Sequence, residues 1–173
     1  MFKKFIIGFL KLFSFIPAIA VMAMIYHFSA QPGVVSGRLS YEISYDIVEI
    51  KNELLDSGYT PDELAVQARG IHYYVRKAAH VTEYLILAVA VSFPLYVYGV
   101  RGIWLLILAG LICVGYAGFD EHHQASVVGR GPSVKDVGID SIGVFAGILV
   151  VQAFCWTVSH NPASGRKKRG EDL

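Results

Sequence analysis

IWLLILAGLICVGYAGF (103–119), DEHHQASVVGRGPSVKD (120–136) and VGIDSIGVFAGILVVQAFCWTV (137–158) follow one another in the chain. Two apolar runs, each long enough to cross hydrocarbon at the roughly 17–25 residues this takes, enclose a segment crowded with ionisable side chains. Backbone amides find no water in a bilayer, so an apolar run of that length reads as a helix. The pattern therefore predicts two membrane helices joined by a polar connection.

Working outward, LFSFIPAIAVMAMIYHFSA (12–30) and AAHVTEYLILAVAVSFPLYVY (78–98) are two further runs of the same kind. A composition of 54% hydrophobic and 17% charged residues agrees with a membrane protein and departs from ordinary soluble usage. The expected fold is an all-α integral membrane four-helix bundle, one domain over residues 1–173, with spans near 12–30, 78–98, 103–119 and 137–158. The N-terminal run continues apolar past Ala18-Ile19-Ala20, so it reads as a retained helix and not a cleaved signal. No basic helix or ribbon appears, and nucleic acid is set aside as a partner. Cys113 and Cys155 sit in apolar runs, where thiols act as small hydrophobes.

Between the first two spans, Ile43, Ile47, Ile50 and Leu54 repeat at helical spacing with acids beside them, and TPDEL (60–64) combines a cap, a first-turn proline and a capping-box glutamate. One or two short extracytoplasmic helices are expected there, the second able to continue into the second span. The acids of that loop contrast with RKKR (166–169) in a basic tail over 159–173, which places both termini in the cytoplasm of a multi-pass protein of the cell membrane.

Four polar clusters then fall at one level of the bundle: the Ser29-Ala30-Gln31-Pro32 exit of the first span, the start of the second, the connection between the third and fourth, and the start of the fourth. His72, Arg76, His80 and Glu83 share a face at spacings of four, four and three, and Ser133, Asp136, Asp140, Gly143 and Gly147 form a stripe that becomes a glycine seam. Ionisable groups inside a membrane are costly and turn toward protein or water, so convergence predicts one polar pocket.

HFSAQPG (27–33), KAAHVTEYLILAVAV (77–91) and DEHHQASVVGRGPSVKDVGIDSIGVFAGI (120–148) resemble, in order, three sequence blocks of VanZ-like membrane proteins. The resemblance marks Ser29, Gln31, His80, Glu83, Tyr84, Asp120, Glu121, His123, Gln124, Gly129, Arg130, Asp136, Asp140, Gly143 and Gly147. The family takes its name from an accessory protein of glycopeptide resistance linked to teicoplanin, which implies a cell-envelope setting and not a mechanism.

Three functional readings follow from the residues. In the first, the pocket binds a lipid-linked cell-wall precursor or an anionic lipid through Ser29, Gln31, Arg76, Tyr84, Asp120, His123, Gln124, Arg130, Asp136 and Asp140, arginines suiting phosphate. In the second, His80, Glu83 and Glu121 act as acid–base groups on a lipid-linked headgroup. No Ser-x-x-Lys or Gly-x-Ser-x-Gly motif supplies a nucleophile. In the third, the polar network only fixes helix packing in a scaffold. No cofactor is expected. A metal on His80, Glu83, Glu121 and His123 is the least favoured option, because these spacings match no common ligand set. The sequence leaves the oligomeric state open.

Overall fold

The structure is a computed structural model that describes residues 13–131 and 133–160. Lys3, Lys4, Lys11, Leu12, Pro132 and the basic tail from 161 onward lie outside the described residues. After a 3-10 turn at Phe13–Phe15 come five α-helices: α1 (Ile16–Ser29), α2 (Gly33–Leu55), α3 (Pro61–Val97), α4 (Ile103–Gln124) and α5 (Val134–His160). No strand occurs among the described residues.

Helices α3, α4 and α5 are each long and apolar enough to cross a membrane. Helix α1 has 14 residues, about 21 Å at 1.5 Å per residue, short of the roughly 30 Å of hydrocarbon. It passes the same test only jointly with α2, from which it is separated by a bend of 103°. The chain thus carries three or four spans. The short helices expected between the first two spans take a different form. α2 is one helix of 23 residues beginning at Gly33, and TPDEL opens the 37-residue α3 itself. Its capping box is formed: Thr60 Oγ1 accepts from the Glu63 amide at 3.4 Å and Glu63 Oε2 accepts from the Thr60 amide at 2.9 Å.

Helix α3 is the centre of the molecule. Tyr84, Leu87, Ala88 and Val91 on α3 pack with Leu105, Ala109, Cys113 and Ala117 of α4, Val144 and Ile148 of α5, and Ala18 and Ile25 of α1. Its most extensive pairing is with α5. The expected glycine seam makes that contact: a Cβ on Gly143 would run into the Val81 carbonyl, and one on Gly147 would meet the Leu85 carbonyl and the Ala88 methyl. Lipid is as apolar as leucine, so such helices adhere by close van der Waals packing, which small residues permit.

Helix α2 presents an unexpected face to the bundle. Ser44 and Val48 are buried, whereas Ile43, Ile47, Ile50 and Leu54 are 43%, 46%, 56% and 80% exposed. Ser36, Ser40 and Ser44 recur every four residues, and the latter two satisfy their hydroxyls on the helix's own carbonyls: Ser40 Oγ donates to Ser36 O at 2.9 Å and Ser44 Oγ to Ser40 O at 2.7 Å. The small, internally satisfied side chains let α2 lie close to α3, where His72 Nε2 donates to the Gly37 carbonyl at 3.1 Å. Ile47, Ile50 and Leu54 of the apolar stripe are left facing outward, an arrangement that suits contact with lipid and not with water.

Candidate functional site

The connection between α4 and α5 is built backward onto α1 and α2. Gly33 N donates to Val128 O at 3.0 Å, and a Cβ at Gly33 would run into the Gly129 carbonyl. Gly129 has φ +76°, a backbone that side-chain-bearing residues rarely adopt. Next to it, Arg130 acts as a clamp. Its Nη2 donates to Phe28 O at 2.9 Å, its Nε to Gln31 O at 3.1 Å and its Nη1 to Gln124 Oε1 at 3.2 Å. The guanidinium thereby neutralises carbonyls at the negative end of α1 and fixes the last turn of α4. Burial draws its pKa below the ordinary arginine value, reinforced by the charge of Arg76 and opposed by Asp120, Glu83 and Glu121.

The last turn of α4 extends the helix five residues past the expected end at Phe119, so Asp120, Glu121, His123 and Gln124 are helical and not loop residues. Asp120, Glu121 and Gln124 are buried. Gln124 Nε2 donates to Asp120 Oδ2 at 2.9 Å, completing a chain from Asp120 through Gln124 to Arg130. Glu121 faces the other way, and its Oε2 accepts the Ser133 amide at 2.8 Å, immediately before α5. His123 stacks on Tyr26 with ring centroids 4.4 Å apart.

Between α3 and α5, Lys77 Nζ pairs with Asp136 Oδ1 at 2.6 Å. His80 Nδ1 stands 4.0 Å from both Glu83 Oε2 and Asp140 Oδ1, too far for a direct hydrogen bond.

A cavity of about 130 Å³ opens beside α3, beneath α2. Its polar wall carries Ser29, Gln31, Arg76, His80, Glu83, Asp120 and Arg130, and Ile25, Phe28, Leu39 and Ile43 line its apolar wall. Ser29 Oγ and Asp120 Oδ1 are buried without a hydrogen-bond partner among the described residues. The Tyr84 hydroxyl lies by Asp120, with no hydrogen bond of good geometry between them. Arg76 has neither an ion-pair nor a hydrogen-bond partner among the described residues.

Blocks far apart in the chain thus meet through Arg130, Gly33 and the Lys77–Asp136 pair, the last 59 positions apart and Arg130 102 from Phe28. The sequence pattern of the VanZ/LLP1 family matches residues 13–155, which takes in all of these contacts. The chain belongs to the VanZ/LLP1 family. Neither a curated protein nor a solved structure shows significant similarity to it.

In this VanZ/LLP1 chain the residues singled out from sequence gather at one end of the bundle, but they divide into two groups. Ser29, Gln31, Arg76, His80, Glu83, Asp120 and Arg130 line the cavity. Tyr84, Glu121, His123, Gln124, Asp136 and Asp140 lie outside its wall, in the contacts just described. Among the described residues, no group of three or more His, Cys, Asp or Glu side chains is placed to hold a metal ion. The set His80, Glu83, Glu121 and His123 is dispersed, because Glu121 turns to Ser133 and His123 to Tyr26. What the sequence reading missed is the contribution of α2: Ser36, Leu39, Ser40 and Ile43 line the cavity. The four-residue serine repeat was the available signal, outweighed by the more conspicuous isoleucines.

Proposed function

We propose that this VanZ/LLP1 protein resides in the cell membrane with both termini cytoplasmic and binds a lipid-linked or phosphate-bearing envelope molecule in the cavity beneath α2, on the extracytoplasmic side. The observation that carries the reading is Arg76: a guanidinium in the wall of a membrane-protein cavity, without an ion-pair partner among the described residues, in a cavity also lined by Ser29, whose buried Oγ is unpartnered. An arginine in that position favours phosphate through paired hydrogen bonds. The apolar wall supplied by Phe28, Leu39 and Ile43 lets a lipid tail stay in hydrocarbon while its head is held. A role in glycopeptide response, teicoplanin included, is one setting for such binding.

The test is mass spectrometry of lipids that co-purify with the wild type and with Arg76→Gln at equal abundance. A phosphate-bearing lipid retained by the wild type and lost from the variant supports the proposal. Equal lipid content in both overturns it.

A second reading, acid–base catalysis on the bound head, draws on His80 and Glu83, which face the cavity with their polar atoms 4.0 Å apart. Turnover of a bound lipid, abolished by His80→Gln with binding intact, would establish it over binding alone.

A further inference from the structure

The cavity wall carries both signs of charge, and this narrows the class of headgroup. We propose that the occupant is zwitterionic, a phospholipid head carrying a phosphate and a primary ammonium, with the phosphate on Arg76 and the ammonium at Glu83 and Asp120. The inference rests on the lipid-binding reading above and specifies which head the same site takes.

Besides the His80 imidazole, four ionisable groups face the space: the guanidiniums of Arg76 and Arg130 and the carboxyl groups of Glu83 and Asp120. Arg130 is committed to Phe28, Gln31 and Gln124. Lys77 and Asp136 satisfy each other outside the wall. That leaves Arg76 on one side. On the other are Glu83, whose nearest ionisable contact is His80 at 4.0 Å, and Asp120, 1% exposed with Oδ1 unpartnered.

A purely anionic head would satisfy Arg76 and press its charge against two carboxyl groups, and a purely cationic one would reverse the conflict. Buried polar atoms left without partners are costly, so a head bearing both charges answers the whole wall. Arg76 and Glu83 lie two turns apart on one face of α3, roughly 10 Å along its axis, and their side chains can lean toward a common ligand. An ammonium offers three donors and no acceptor, which matches Asp120 Oδ1 and Glu83.

Size agrees. The cavity of about 130 Å³ has room for a phosphate with a two-carbon amine. Phe28, Leu39 and Ile43, in the wall and 41%, 51% and 43% exposed, give the acyl chains a path outward along α1 and α2.

Native mass spectrometry of the full chain with matched dioleoyl lipids tests the assignment, comparing phosphoethanolamine, phosphocholine and phosphoglycerol heads, with a long-chain phosphate monoester and free phosphoethanolamine as further probes. The ethanolamine lipid should bind at least about tenfold more tightly than the choline lipid, whose trimethylated nitrogen has no N–H to donate. Glu83→Gln should shrink that preference, and Arg76→Gln should weaken every phosphate lipid alike. Free phosphoethanolamine should compete only weakly, because it lacks the chains.

Tighter binding of the phosphoglycerol lipid or the monoester would overturn the zwitterion and leave the lipid-binding proposal standing. Binding of none of them would overturn both. An ethanolamine preference untouched by Glu83→Gln would also overturn the assignment of the ammonium.

Discussion

Arg130 Nη2 donates to the carbonyl oxygen of Phe28 across 2.9 Å, joining the loop before α5 to the end of α1, 102 positions earlier in the chain. With the bonds to Gln31 and Gln124 this makes Arg130 a structural clamp at the rim of the cavity. Lysine, with one compact ammonium, cannot reach all three acceptors. Arg130→Lys should lower stability by on the order of 2 kcal/mol, and Arg130→Ala by more. A thermal melt in detergent checks this, and unchanged melting of both variants would count against the clamp.

Close approach of α3 and α5 gives a paired prediction about glycines. Gly143→Ala places a methyl against the Val81 carbonyl and should cost about 1–3 kcal/mol through overpacking. Gly138, on the same helix, has open space where its Cβ would be. Gly138→Ala should therefore be neutral or gain up to about 1 kcal/mol from helix propensity. Thermal melts of the two variants, with equal shifts as the adverse outcome, decide the matter.

Glu121 serves the first turn of α5 by accepting the Ser133 amide. Glu121→Ala should cost about 1 kcal/mol of stability, as the loss of a helix cap does, while lipid retention in the folded fraction stays near wild type. Loss of lipid with stability intact would move Glu121 into the binding site.

Orientation is testable at Ser126, an exposed residue just beyond α4. Both native cysteines, Cys113 and Cys155, are buried, so background labelling should be low. A cysteine introduced at Ser126 should react with a membrane-impermeant reagent on intact cells. Reaction only after lysis would invert the topology.

Much of this was legible in the sequence because the relevant physics is local. Apolar runs dictate helices wherever water is absent. The Thr60–Glu63 box sets the start of α3 within four residues, and the Gly143-x-x-x-Gly147 spacing declares a face on which another backbone can lie. Spacings of three and four put His80 with Glu83, and Asp136 with Asp140, on common faces before any fold is known.

Which faces meet is another matter, and only tertiary structure decided it. Periodicity assigned α2 an apolar stripe and could not say that the serine stripe beside it would face α3, since lipid outside rewards the opposite orientation from water. Nor does the spacing of Asp120, Glu121 and Gln124 reveal that one helical turn sends Asp120 to the cavity and Glu121 to α5. A helix displays its residues in fixed angular order, but the neighbour each one meets depends on where distant segments dock, here the Gly33 and Phe28 region against Gly129 and Arg130.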